Sequence, residues 1–132
     1  MRALVVEDDF GSRHLLQAYL KDVALVDVAV DGEEGLEAFR LAWVENEPYD
    51  IILLDIMMPK LDGQECLKRI RELEEGMGVR QKDEVPIIMT TALEDPKNVI
   101  EAFNRGGATG YIVKPIDKQT FLNEVYKHVE RR

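Results

Sequence analysis

The chain has 132 residues, 45% of them hydrophobic and 33% charged. That length fits one domain able to bury a core without disulfides or a structural metal. Twenty-six acids against seventeen lysines and arginines leave a formal charge of −9, the wrong sign for direct nucleic-acid binding, because Arg69, Arg71, Arg80, Lys82, Lys127, Arg131 and Arg132 are interleaved with acids or end the chain.

Residues 2–6 read as the first strand, with Ala3-Leu4-Val5-Val6 as its apolar run and Glu7-Asp8-Asp9 directly after it. With strand pattern from the Met1 end onward, no secretory signal is expected. Asp9 reads as a first-turn helix acid, and Leu15, Leu16, Tyr19 and Leu20 give the first helix its apolar face. A second strand is expected at residues 25–30. Asp31 and Glu34 then have the spacing of a capping box with an acid in the Ser/Thr position, opening a helix whose apolar face is Leu36, Phe39 and Trp43.

The third strand, residues 50–55, carries Ile51-Ile52-Leu53-Leu54, a continuous apolar run of the kind buried on both faces, and it closes on Asp55. Met58-Pro59-Lys60-Leu61-Asp62-Gly63 breaks the pattern, Asp62 and Glu65 repeat the capping spacing, and Cys66, Ile70 and Leu73 form the third apolar face. Glu74 to Glu84, with Gly76 and Gly78, reads as one long polar connection. A fourth strand at residues 86–91 is followed by Asp95-Pro96, an N-cap with proline in the first turn, and by Val99 and Phe103. The fifth strand, residues 109–113, runs into Lys114-Pro115, and Phe121, Leu122, Val125 and Val129 make the last helix amphipathic. This helix pattern runs to Glu130-Arg131-Arg132, so one domain over residues 1–132, without an output domain, is expected; a receiver excised from a longer regulator is the alternative. No apolar run approaches the roughly 20 residues of a membrane helix. A lone cysteine, Cys66, fits a reducing cytoplasm and reads as a buried core thiol, while His14 and His128 read as surface residues.

Alternation of strand and helix argues for a parallel sheet between two helical layers. Right-handed crossovers bring every strand's carboxyl end to one edge, which pools Glu7, Asp8, Asp55, Thr90 or Thr91, and Lys114. Three carboxylates there need a positive partner. Hard oxygen ligands suit Mg²⁺, and a lysine ammonium with a threonine hydroxyl would complete a cradle for phosphoryl oxygens. Asp55 is then the natural nucleophile, since a carboxylate can take a phosphoryl group as an aspartyl phosphate.

Val5-Val6-Glu7-Asp8, Leu53-Leu54-Asp55-Ile56-Met57-Met58-Pro59, Thr91-Ala92 and Gly110-Tyr111-Ile112-Val113-Lys114-Pro115 resemble the signature of two-component response-regulator receiver domains, the CheY-like family, along essentially the whole chain. The resemblance implies a five-stranded parallel sheet in the order 2-1-3-4-5 flanked by five helices. It makes Asp55 the phosphoacceptor, with Glu7, Asp8, Asp55 and the Met57 backbone carbonyl holding Mg²⁺. It selects Thr91 over Thr90, places Thr91 and Lys114 on the phosphoryl oxygens, and makes Tyr111 the aromatic switch; from strand propensity, Tyr111 is equally a plain half-buried aromatic. It also favours a cis bond at Lys114-Pro115. Glu7 stands where many members carry Asp, so water-mediated contact with the metal stands beside direct coordination. Met57 and Leu93 stand where some members place polar side chains that align water for dephosphorylation.

The expected partners are a sensor histidine kinase or phosphotransfer protein and a downstream effector on the face of the fourth helix, fifth strand and fifth helix, with the chain a monomer or a weak phosphorylation-dependent dimer. The implied role is a signalling switch that assists its own phosphotransfer, not a turnover enzyme. A phosphatase of the haloacid-dehalogenase type would carry Asp-x-Asp, whereas Asp55-Ile56-Met57 lacks the second acid. A flavodoxin-like cofactor binder would not place Glu7-Asp8-Asp9 where phosphate must sit.

Overall fold

A computed structural model of the chain describes residues 1–58, 60–92 and 107–129. Strands β1 (Arg2–Val6), β2 (Leu25–Ala29), β3 (Ile51–Asp55), β4 (Ile87–Ala92) and β5 (Gly110–Lys114) form one parallel sheet in the order β2-β1-β3-β4-β5. Its helices are α1 (Phe10–Leu20), α2 (Gly32–Val44), α3 (Gly63–Gly76) and α4 (Lys118–Val129), with a short 3₁₀ turn at Gln81–Asp83. The helix expected from Asp95-Pro96, with Val99, Phe103 and the neighbouring Leu93, lies outside the described residues. The last helix of the sequence reading is therefore α4 here.

Side-chain alternation splits the core between the two sheet faces. Leu4, Val6, Ile52, Leu54, Ile87 and Met89 pack with Phe39, Cys66, Leu67 and Ile70 from α2 and α3. Ala3, Val5, Ile51, Leu53, Ile88 and Ile112 face Leu16 and Leu20 of α1 and Phe121 and Val125 of α4. Because β1 and β3 are covered on both faces, Ala3–Val6 and Ile51–Leu54 are apolar throughout, with Arg2 at the start of β1 and Asp55 at the end of β3.

Asp31 and Asp62 cap their helices as their spacing predicts, accepting from the backbone N–H of Glu34 at 2.8 Å and of Glu65 at 2.9 Å. The returning Glu34 carboxylate accepts from Val30, one residue before the cap, at 3.3 Å. Two further caps escaped the sequence reading: Asp9 accepts from the Ser12 N–H at 2.8 Å and Asp117 from the Thr120 N–H at 3.0 Å. Asp9 therefore stands before α1 as its N-cap instead of inside the first turn.

Three other expectations are corrected. Leu15 is 39% exposed because it lines a groove beside α1 instead of entering the core. His128 is nearly buried, its Nε2 lying 3.0 Å from where a Cβ on Gly110 would stand. Most informative is Glu74, which belongs to α3 and is fully buried instead of opening a polar connection. Its Oε1 accepts from Arg71 at 2.7 Å and its Oε2 from the Val85 N–H at 2.7 Å. Arg71 in turn donates to the carbonyls of Val85 and Gly107. One ion pair thus fastens α3 to the entrances of β4 and β5.

Removing one partner of a buried pair strands the other, which costs about 3–5 kcal/mol. Glu74→Ala should lower unfolding stability by that order in urea titration, while Glu75→Ala, at an exposed neighbouring position, should change it by less than about 0.5 kcal/mol. Equal losses from the two variants would remove the clamp from this account.

Candidate functional site

The order of strands reverses at β1, since β2 lies on one side of β1 and β3 on the other. The connections leaving β1 and β3 diverge, which opens a crevice at their carboxyl ends. Glu7 and Asp8 follow β1, Asp55 ends β3, and one carboxylate oxygen from each lies within 4.8 Å of the other two. Glu7 and Asp55 are buried and Asp8 is exposed. The loop after β3 is seated by two close approaches. A Cβ on Gly63 would come 2.1 Å from the Asp55 carbonyl oxygen, and one on Gly32 would come 2.0 Å from that of Leu61. Glycine is thus a steric requirement at both positions.

Lys114 ends β5, and the bond to Pro115 is cis. Its Nζ lies 2.9 Å from Glu7 Oε2 and 3.7 Å from Asp55 Oδ1. The Asp55 Oδ1 is also 3.4 Å from the Met57 N–H, and Glu7 Oε1 accepts from the Asp9 N–H at 3.2 Å. Burial, then the charge of Glu7, pushes the Asp55 carboxyl up to about 7 against the opposing pull of Lys114. Burial would lower the Lys114 ammonium, but its hydrogen bond to Glu7 and the charges of Asp55 and Glu7 outweigh that effect and hold it above its ordinary value. A cluster of this kind favours a cation: three oxygen donors fit a hard divalent ion.

The two threonines separate by strand parity. Thr90 pairs in register with Asp55 on β3 and Ile112 on β5, so it shares the α1 and α4 face of the sheet. Thr91 pairs with Val113 and lies on the opposite face, one residue nearer the strand end. Both are buried. Tyr111 is 46% exposed on β5, Met57 is 68% exposed beside Asp55, and Cys66 is buried with its thiol pushed up to about 12 by desolvation. The site therefore brings together Glu7, Asp8, Asp55, Met57 and Lys114. Thr91 is adjacent through β4, and Tyr111 stands apart on the other face.

Tyr19 was placed by periodicity in the core, yet its hydroxyl also donates to the Ile116 carbonyl at 2.8 Å and ties α1 to the loop after Lys114. No sequence signal marks that bond. Between them, Gly11, Ser12 and Leu15 of α1 and Lys114, Pro115 and Ile116 border a groove of about 500 Å³.

The family described as the response regulator receiver domain matches residues 3–126. The transcriptional regulatory protein DltR of Streptococcus agalactiae serotype III is 38% identical over 126 residues, which cover 95% of this chain and 50% of DltR. The transcriptional regulatory protein ResD of Bacillus subtilis is 40% identical over 129 residues, covering 94% of this chain and 46% of ResD. The chain thus spans about half the length of these curated relatives. Among solved structures, the Vibrio cholerae chemotaxis protein CheY4 superposes with a TM-score of 0.79 at 29% identity, over 96% of this chain and 97% of that one. The BeF3-activated receiver domain of DrrB gives 0.79 at 26% identity, over 98% and 97%.

The Thr90 hydroxyl is buried without a hydrogen-bond partner among the described residues. Since an unsatisfied buried hydroxyl costs about 1–3 kcal/mol, Thr90→Val should raise stability by about 1 kcal/mol in urea unfolding. A loss of stability would mean that the hydroxyl is bonded in solution.

Proposed function

The chain belongs to the response regulator receiver domain family, and from that membership we propose that residues 1–132 act as one phosphorylation-controlled unit with Asp55 as the phosphoacceptor. The carrying observation is the meeting of the acid cluster with Lys114 at Asp55. A carboxylate oxygen of Asp55 bonds to phosphorus as the phosphorus–nitrogen bond of a donor phosphohistidine breaks, and the electron pair leaves with the imidazole nitrogen. Glu7, Asp8, Asp55 and the Met57 carbonyl would hold Mg²⁺, which when bound neutralises charge on the phosphoryl oxygens. Lys114, whose Nζ lies 3.7 Å from Asp55 Oδ1, would contact a second phosphoryl oxygen.

Family membership implies a kinase partner and an effector. For the effector we favour the face of β5 and α4, together with the helix expected from Asp95-Pro96. Tyr111 and Val113 are exposed there beside Thr120 and Glu124. Thr91 and Tyr111 are the switch residues of this reading, and the unit is a monomer or a weak phosphorylation-dependent dimer that works as a signalling switch in the cytoplasm, without direct contact with nucleic acid. Among the described residues no helix is long and apolar enough to cross a membrane.

With Mg²⁺ and acetyl phosphate, intact-mass measurement should show one added phosphoryl group. Asp55→Asn should abolish it, and EDTA should reduce it strongly; undiminished labelling of Asp55→Asn would remove Asp55 from the role. Met57 offers no hydrogen bond to align an attacking water. Met57→Asn should therefore speed loss of the phosphoryl group by roughly tenfold, about 1.4 kcal/mol of barrier. The check is decay of the phosphorylated protein after donor removal, and equal lifetimes would place the control of hydrolysis elsewhere.

A further inference from the structure

Five methionines and one cysteine carry the sulfur of the chain, and burial ranks them. Met89 is fully buried, Met1 and Met58 are partly covered, Met77 is 43% exposed and Met57 is 68% exposed. Cys66 is buried and desolvation holds its thiol protonated, so it offers an oxidant little thiolate. The sulfur most open to a dissolved oxidant therefore belongs to the residue whose N–H lies 3.4 Å from Asp55 Oδ1.

We propose that Met57 is a modification site: hydrogen peroxide oxidises its thioether, and the resulting sulfoxide shortens the life of a phosphoryl group on Asp55. The sulfur lone pair attacks one peroxide oxygen, and a sulfur–oxygen bond forms as the oxygen–oxygen bond breaks. The departing hydroxide takes the proton of the transferred oxygen and leaves as water, so sulfur is oxidised and the peroxide is reduced. A thioether sulfur is only a weak acceptor. A sulfoxide oxygen is a strong one, carried on a stem with the same number of atoms as the carbonyl oxygen of glutamine. Beside Asp55 it can accept from a water and hold it toward phosphorus, and such positioning lowers the barrier to hydrolysis. This rests on Asp55 as the phosphoacceptor, and it adds a redox input to that site.

The intact chain is treated with hydrogen peroxide, and peptide mass spectrometry follows each methionine. Sulfoxide should form at Met57 ahead of Met77 and far ahead of Met89. Treated and untreated proteins are then labelled with acetyl phosphate and Mg²⁺, and loss of the phosphoryl group is timed after the donor is removed. The oxidised wild type should lose it about threefold or more faster, and methionine sulfoxide reductases, which restore the thioether, should return the original lifetime. Met57→Gln should lose the group faster than the wild type without any oxidant. Met57→Leu, compared with itself before and after peroxide, should show no change, whereas Met77→Leu should respond as the wild type does. An unchanged lifetime in the oxidised wild type overturns the proposal, as does an equal response in Met57→Leu or a Met57 that oxidises no faster than Met89. Absence of label from the untreated wild type would instead refute Asp55 as the phosphoacceptor, on which the order of oxidation does not depend.

Discussion

Three carboxylates meet at the end of a buried sheet, and the ammonium of Lys114 is what offsets their repulsion. Two like charges 4 Å apart at an effective dielectric near 20 repel by about 4 kcal/mol, a large share of a small domain's net stability. Lys114 comes from β5, while its partners lie on β3 and after β1. With strands about 4.8 Å apart, reaching across β4 takes a long side chain that starts at a strand end. The order β2-β1-β3-β4-β5 is therefore part of the electrostatics. It places acids and lysine on strands near enough to interact and far enough apart for a ligand to enter between them.

That unfavourable cluster is carried by a frame fastened at the opposite edge. The Arg71–Glu74 pair joins α3 to Val85 and Gly107, at the entrances of β4 and β5. Arg2 does similar work for β1 and β2, pairing with Asp27 at 3.0 Å while Tyr49 donates to the same carboxylate at 2.7 Å. With the amino ends of the strands secured, the carboxyl ends can keep short polar loops whose groups answer to chemistry instead of packing.

The strands were legible because burial on both faces leaves a plain signature, as in Ile51-Ile52-Leu53-Leu54, and because Asp31 and Asp62 stand at fixed spacing before their helices. The site was legible because its acids and Lys114 close strand patterns, so their convergence follows from crossover handedness. Glu74 was not legible. Its acid falls in a stretch that reads as solvated, and only the arrival of Val85 and Arg71 from elsewhere makes burial tolerable. The hydroxyl of Tyr19 and the burial of His128 against Gly110 were hidden for the same reason: each depends on a partner distant in sequence. Asp117 was different, because its local signal, an Asp three residues before Thr120, was available and went unread.

Strand parity also limits how the site can speak to the exposed face of β5. Asp55, Thr90, Ile112 and Lys114 share one side of the sheet, whereas Met89, Thr91, Tyr111 and Val113 share the other. The two faces are covered by close-packed side chains, Ile88 and Ile112 on one and Met89 on the other, and close-packed interiors do not deform continuously. A change at Asp55 thus has an easier route around the open carboxyl end of β4 than through the sheet. Thr91, in the last pair but one of the β4–β5 ladder, has its backbone on the strand beside Asp55 and its side chain on the face of Tyr111, which is why the proposed reading puts the switch there. Thr90, although closer to Asp55 in register, points into the α1 and α4 layer, away from the face of Tyr111.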